Sequence, residues 1–278
     1  MPPSRASRAV APVLVIGLTA CAAVLGARWV SSELAPARCT FAAAGREVSL
    51  TPEQSANAAT IAAVSVQRGL PPRAATIGLA TAIQESKLRN LRYGDADSQG
   101  LFQQRPSQGW GTVEQITDPV YASNAFYDVL IEVEGWDQGV VTEVAQEVQR
   151  SAYPDAYADH EWEGRVLASI LTGQEGGGSD LTCRLGDPAG AGSAQAVSDK
   201  ALAQLGMQAQ VEEQLVRLDP GEGSRAWAAA TWAVAHAEAE DVSAVSVAGR
   251  TWDRGSGQWS DDEQPAAGSS TAVVIEVG

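Results

Sequence analysis

Two cysteines, Cys39 and Cys183, place the strongest constraint on how this chain can fold. The third cysteine, Cys21, lies in an apolar run near the N-terminus. In an oxidising compartment Cys39 and Cys183 would pair and close nearly the whole intervening segment into one loop. Loop entropy predicts a contribution of about 4–5 kcal/mol from so long a loop. Two unpaired thiols are the alternative.

The N-terminal apolar run predicts export of the rest of the chain. Residues 9–27 are apolar and lie between Arg8 and Arg28, and the run is close to the roughly 20 residues that a membrane-spanning helix needs. The flanking arginines place the N-terminus inside. We expect a single-pass anchor in the cell membrane. A cleaved signal peptide and a lipoprotein modified at Cys21, whose preceding residues resemble a lipobox, are the alternatives.

The charge balance excludes several classes of partner. The chain has 34 acidic and 19 basic residues, for a net charge of −15. Nucleic acid binding needs a basic face that neutralises phosphates, so we expect no nucleic acid partner.

The two histidines, His160 and His236, and the lack of a CxxC motif leave almost nothing from which to build a metal site. No metal and no cofactor are expected.

Helix signals dominate the segment between the two cysteines. Thr51 precedes a proline, and Gln54 completes a capping box. Pro71 and Pro72 open a second helix with apolar residues at helical spacing, and a polar loop follows at residues 89–111. Five helices are predicted: residues 51–68, 72 to about 88, 118–131, 142–152 and 154–173.

Glycine-rich stretches predict where the chain divides. Residues 173–179 and 186–193 are flexible by composition. We expect a membrane or signal segment at residues 1–30, a globular segment at 31–183, a linker at 184–197 and a smaller segment at 198–278. The last should contain helices at 198–205 and 224–240 and strands at 242–252, near 258–259 and at 271–277. The expected fold class is mostly α, with a short β or loop region in the first segment and a small α+β C-terminal segment.

Glu85 has the position that an acid catalyst requires. Cleavage of a glycosidic bond needs a carboxylic acid that is still protonated near neutral pH. Glu85 ends an apolar helix, so partial burial and the negative end of the helix dipole should both raise its pKa. Taken alone, a glutamate near a helix end is more often a solvated surface residue.

The neighbourhood of Glu85 resembles a known signature. Glu85-Ser86, Gly94-Asp95 and Gly100-Leu101-Phe102-Gln103 resemble the motif of the lysozyme superfamily, which includes goose-type and chicken-type lysozymes and soluble lytic transglycosylases. An actinobacterial family of exported proteins resembles the chain more closely than the lysozyme superfamily does, through residues 103–112, 118–122 and 148–152. The resemblance covers residues 48–168 and implies that segment 31–183 is a lysozyme-like domain.

The resemblance implies roles for several residues. Glu85 would be the general acid, and Gln103 would be a cleft residue that hydrogen-bonds substrate. Ser86 is counted with the substrate-binding residues, although its expected role is to hold the turn or the glutamate. Tyr153 and Tyr157 would lie where a late helix approaches the cleft and are counted as substrate-binding; an ordinary core position is the alternative for each tyrosine.

The resemblance does not fix which residue supplies a second carboxylate beside Glu85. Asp95 and Asp97 lie in the loop where several lysozymes keep one, to stabilise the positive charge or to activate a water molecule. An Asx-turn is the alternative for both. Goose-type enzymes also tend to have an aspartate two residues after the cleft glutamine, where this chain has Arg105.

These observations lead to one expected function and one rival. We expect a peptidoglycan-cleaving enzyme, a lytic transglycosylase rather than a muramidase, that uses Glu85 with Asp95 or the substrate's own hydroxyl on glycan strands. It would act at the bond between N-acetylmuramic acid and N-acetylglucosamine. The rival is a lysozyme-fold wall-binding or assembly protein without catalysis. The Arg105 substitution and the acidic surface favour the rival, whereas the retained Glu85 favours the enzyme.

Overall fold

The computed structural model describes residues 36–150, 157–174, 180–221, 223–262 and 271–278. Of these residues, 44% are helical and 21% lie in strands. The expectation of a mostly α fold is therefore wrong, because the chain has a mixed α+β fold with one three-stranded and one six-stranded antiparallel sheet.

The smaller sheet contains three strands that the sequence pattern did not predict. β1 (Arg38–Ala43) lies between β2 (Arg46–Leu50) and β3 (Leu181–Arg184). Ala44 and Gly45 join β1 to β2, and both have positive φ, as the two-residue hairpin turns that match strand twist require. β3 has only four residues and obtains its partner from the far end of the first segment, so no local signal marks it.

The predicted disulfide is confirmed. Cys39 and Cys183 face one another in the register of β1 and β3 and form a disulfide across 144 positions of sequence, with Cα atoms 4.0 Å apart. Cys39 is 1% exposed and Cys183 is fully buried. The bond therefore lies inside the sheet and joins the two ends of the helical segment.

Two long helices form the centre of that segment. α1 (Pro52–Gln67) begins with the predicted capping box at Thr51, and α2 (Pro72–Ser86) follows Pro71. Most side chains in both helices are buried, since each packs against several others. The remaining helices of this segment are α3 (Val113–Ile116), α4 (Pro119–Leu130), α5 (Val141–Gln149) and α6 (Glu161–Leu171).

Helix boundaries follow the sequence where a cap or a proline marks them. Asp118 caps α4 as predicted, accepting from the backbone of the first turn. α5 has Val140 rather than Thr142 at its N-cap. The helix predicted for residues 154–173 is shorter: α6 is preceded by a 3₁₀ turn at Ala158–His160, and residues 151–156 lie outside the described residues.

The larger sheet occupies the C-terminal part of the chain. Its order is β4-β5-β9-β6-β7-β8, and all neighbouring pairs are antiparallel. Trp252 and Trp259 form a cross-strand pair, and Trp227 packs edge-on against Trp259. The elements are α7 (Ala194–Leu205), β4 (Ala209–Glu212), β5 (Leu215–Leu218), α8 (Gly223–Ala235), β6 (Val242–Val247), β7 (Arg250–Asp253), β8 (Gln258–Asp261) and β9 (Val273–Val277).

A buried polar network joins the two parts of the chain. Thr60 on α1 donates to Gln204 Oε1 at 3.2 Å, and the Trp232 indole donates to the same oxygen at 2.7 Å. The His236 ring lies 3.5 Å from the Thr60 hydroxyl. Ala37–Gly278 form one compact unit. The linker predicted at residues 184–197 lies inside this unit.

The N-terminal prediction concerns residues that the structure does not describe. The apolar run at residues 9–27, with Cys21, lies outside the described residues. Within the described ranges, none of the helices has the length and apolar character needed to cross a bilayer.

Candidate active site

Glu85 lies at the carboxyl end of α2, in the last turn of the helix. The helix stops because Lys87 and Leu88 both have positive φ. Gly164 brings α6 close to this helix: a Cβ there would lie 2.7 Å from the carbonyl oxygen of Thr76. Glu85 itself is half-buried.

Two neutral side chains hold the Glu85 carboxyl group. The Tyr157 hydroxyl donates a hydrogen bond of 2.6 Å to Oε1, and the Gln149 amide donates a second bond. Desolvation by burial raises the pKa of Glu85, and these two donors offset only part of the rise. Burial therefore favours the protonated form of Glu85, although Arg105 and Arg150 line the same cleft.

Ser86 acts on the fold rather than in the cleft. Its side chain is 5% exposed, and its hydroxyl donates 2.7 Å to the carbonyl oxygen of Leu101. This bond attaches the end of α2 to the Gly100–Gln103 segment. The resemblance implies a strand here, but the segment is a turn between the isolated bridges Leu91–Gly100 and Gln99–Gln104.

Gln103 is positioned by the turn itself. Its φ is +48°, and its amide nitrogen donates to the carbonyl oxygens of Gly100 at 3.2 Å and Tyr93 at 3.4 Å. Gly94 leaves the room that this side chain needs, since a Cβ at Gly94 would lie 1.9 Å from Gln103 Oε1. The glycine of the motif is thus required by the glutamine.

The two aspartates of the loop have different surroundings. Asp97 accepts bonds from Arg105 Nε at 3.0 Å, from the Ser107 backbone at 2.8 Å and from the Ser107 hydroxyl at 3.0 Å. The Ser107 backbone and the Arg105 side chain lower the pKa of Asp97 to about 2. Asp97 is therefore an ionised anchor for the loop. Asp95 is exposed and lines the cleft.

Glu85, Asp95 and Gln103 line one cleft of about 380 Å³. The structure thus brings together three of the predicted site residues, and Tyr157 contacts the cleft through Glu85. Tyr153 lies outside the described residues. The other residues around the cleft are Ser98, Gln104, Arg105, Gln108, Trp110, Gln149 and Arg150.

Two glutamines of the site were not among the predicted site residues. Gln149 donates to Glu85 and also, at 2.7 Å, to the carbonyl oxygen of Phe102. Gln104 is 2% exposed and donates to the Ala122 carbonyl oxygen at 3.1 Å, while its Oε1 has no donor among the described residues. The resemblance implied that Gln149 lies on a late helix that approaches the cleft, but the sequence carries no signal for the hydrogen bonds of either glutamine. Only the tertiary contacts reveal them.

The arrangement can carry out proton transfer to a bound ligand. It provides one carboxyl group with a raised pKa, two neutral donors that fix its orientation, and a polar cleft with Trp110 at its edge. Aromatic side chains and amides of this kind suit a sugar chain, because they offer an apolar face and hydrogen bonds together. No protein-family model matches the chain, and no curated protein matches its sequence.

Proposed function

We propose that the chain cleaves peptidoglycan glycan strands as a lytic transglycosylase, with Glu85 as its single acid catalyst. The observation that carries the proposal is the Glu85 carboxyl group, half-buried in a polar cleft, whose pKa is raised by desolvation. A general acid must hold its proton near the working pH. The lysozyme-like motif around Glu85 supports the same activity.

In the first step Glu85 protonates the glycosidic oxygen of the leaving sugar. Tyr157 donates to Oε1, and in this mechanism Oε2 carries the proton. As the bond between the sugar carbon and oxygen breaks, Glu85 becomes an anion. Tyr157 and Gln149 then stabilise the carboxylate, because a donor binds the charged form more strongly.

In the second step the Glu85 carboxylate removes a proton from the C6 hydroxyl of the N-acetylmuramic acid residue whose glycosidic bond has just broken. The C6 oxygen attacks the sugar carbon, and a 1,6-anhydro ring closes without the addition of water. This route suits a site in which Asp97 is occupied by Arg105 and Ser107 and cannot activate water. Asp95 would stabilise the positive charge that develops at the sugar carbon.

The setting of this reaction is also part of the proposal. Disulfides persist in oxidising compartments, and the buried bond between Cys39 and Cys183 favours an extracytoplasmic location. We propose that residues 1–30 export the chain and hold it at the cell membrane.

The test is mass spectrometry of the soluble products after incubation of the purified full-length protein with peptidoglycan. Glu85→Gln is the matched variant, since it keeps the size of the side chain and an acceptor for Tyr157. Anhydro-muropeptides from the parent and none from the variant would support the transglycosylase. Reducing-end products that depend on Glu85 would make the protein a muramidase. If neither protein releases products while both bind the wall, the non-catalytic scaffold becomes the better proposal.

A further inference from the structure

A second groove lies apart from the Glu85 cleft and has a basic lining. Its volume is about 610 Å³, and none of its lining residues also lines the cleft. Arg46, Arg73 and Arg165 line it together with Trp162, and no aspartate or glutamate is among its lining residues. In a chain with a net charge of −15, this local concentration of arginines calls for an explanation.

Two of these arginines have no carboxylate partner in the described part of the chain. Arg165 forms an ion pair with Glu161, whereas neither Arg46 nor Arg73 forms one. Arg73 is fixed by donation to the carbonyl oxygens of Trp136 and Gly139. The Nε and one Nη group of Arg73 are therefore already used, and its other Nη group remains for a ligand. Among the described residues Arg46 has no such bonds, and a guanidinium group of this kind binds a carboxylate strongly because its donors match the two oxygens.

Trp162 supplies an apolar surface at the edge of the groove. Its side chain is 37% exposed, and the Arg46 guanidinium carbon lies 5.3 Å from the centre of its ring. This cation–π contact orients Arg46 without neutralising its charge. An anionic ligand can therefore bind Arg46 while an apolar part of the ligand packs on Trp162.

The basic groove continues along the edge of a strand. A smaller groove of about 340 Å³ shares Trp162 and is lined by four consecutive residues of β2, Glu47 to Leu50. Consecutive strand residues point to opposite faces of a sheet, so a groove that touches all four follows the edge of the strand. Among the described residues, β2 pairs with β1 alone, and its outer edge can accept another strand.

We propose that this edge binds an extended peptide whose acidic end enters the arginine groove. The backbone of the peptide would pair with the outer edge of β2. Its carboxylates would contact Arg46 and Arg73. The groove along β2 also contains Glu47 and Glu163 beside Lys87 and His160, so the acidic residues belong at the arginine end only. The proposal does not depend on catalysis by Glu85.

The test is fluorescence anisotropy with the full-length protein and a short labelled peptide of alternating valine and threonine that ends in two glutamates. We expect saturable binding that Arg46→Ala weakens about tenfold, the effect of losing one charge-assisted contact. Arg46 is exposed and has no ion pair among the described residues, so the variant should keep the parental melting temperature. Arg217→Ala, on the larger sheet, is the matched control and should bind like the parent.

Three further probes distinguish the proposed acidic peptide from other ligands that the groove could bind. The peptide with lysines in place of its glutamates should not bind, and proline in place of each threonine should abolish binding, since proline cannot donate to the strand. Absence of saturable binding would overturn the proposal, as would equal loss in Arg46→Ala and Arg217→Ala. Displacement of the peptide by an equal concentration of inorganic phosphate would overturn it too, because the groove would then bind anions in general.

Discussion

The Tyr157 hydroxyl lies 2.6 Å from Oε1 of Glu85, although the two residues are 72 positions apart in the sequence. Tyr157 is 1% exposed, so its ring fixes the direction of the bond. A phenol is uncharged near neutral pH, and it holds the carboxyl group without adding a cation that would force it to ionise. The orientation of the Glu85 carboxyl group thus depends on a residue just before α6.

Tyr157→Phe should raise the pKa of Glu85 further, because the hydroxyl lowers it in the parent. The acid would also lose its fixed orientation, and we expect the maximal rate to fall about tenfold. A carboxyl titration by NMR measures the pKa independently of activity, and a rate profile on solubilised glycan should show its alkaline limb at higher pH. A lower pKa in the variant would contradict this account of the site.

Glu85→Gln should stabilise the fold at neutral pH while it lowers activity by a hundredfold or more. Because the pKa of Glu85 is raised in the folded state, the folded state binds more protons than the unfolded one as pH rises above 4.5. The free energy of unfolding of the parent therefore falls through this window. Thermal melting at pH 3.5 and pH 7 should give a difference between the two proteins only at pH 7. A variant with a lower melting temperature than the parent at pH 7 would contradict the idea that burial of the ionised Glu85 carboxylate destabilises the fold.

Asp97→Asn should loosen the loop that carries Gln103. The pKa of Asp97 is lowered to about 2 by Ser107 and Arg105, so its contribution to stability is fully present above about pH 4 and is lost as pH falls through about 2. Hydrogen exchange of residues 95–108 should be faster in the variant at pH 6. Asp219→Asn, which removes an exposed ion pair with Arg217, is the control and should leave this loop unchanged.

Replacement of Cys39 and Cys183 together by serine should lower the free energy of unfolding by about 3–5 kcal/mol. The bond closes a segment of 144 positions, and its loss frees the unfolded chain. Urea denaturation of the oxidised parent, the reduced parent and the double variant measures the effect. Equal stabilities in all three would mean that the pairing of β1 and β3 holds without the bond.

Gly94→Ala should weaken substrate binding more than it weakens the fold. The added Cβ would meet Gln103 Oε1 at 1.9 Å and the Ser98 carbonyl oxygen at 2.7 Å, so Gln103 must move. We expect KM to rise several-fold with little change in melting temperature. Gly186→Ala adds a Cβ with no atom within 4 Å and should leave KM unchanged. A normal KM in Gly94→Ala would remove Gln103 from the binding residues.

The sequence predicted those elements whose signals are local. Thr51 and Asp118 start their helices as expected, because each cap bonds residues within its own first turn. β1 and β3 were missed because their stability comes from each other across 144 positions and from the disulfide. The hairpins β1–β2 and β4–β5 pair locally and were missed as well, because strands of four to six residues show little alternation, and these omissions made the predicted fold class wrong.

The sequence predicted only part of the candidate site. The motif placed Glu85 and Gln103 around one loop, and the structure has both in the same cleft. The partners of Asp97 could not be read from the sequence, because an aspartate in a glycine-rich loop suits either a turn or a catalytic site. Arg105 bonds to Asp97, and this contact depends on a loop path that no periodic pattern encodes.

The buried contact of Thr60 with Gln204 and His236 limits how the two parts of the chain can be separated during evolution. Thr60 lies on the central helix of the Glu85 half, and its partners lie in the half that contains the larger sheet. A gene fragment that ended at residue 183 would expose this face of α1 and leave its hydroxyl group and apolar neighbours in water. Recombination between relatives should therefore exchange the two halves together, and their interface residues should vary in concert.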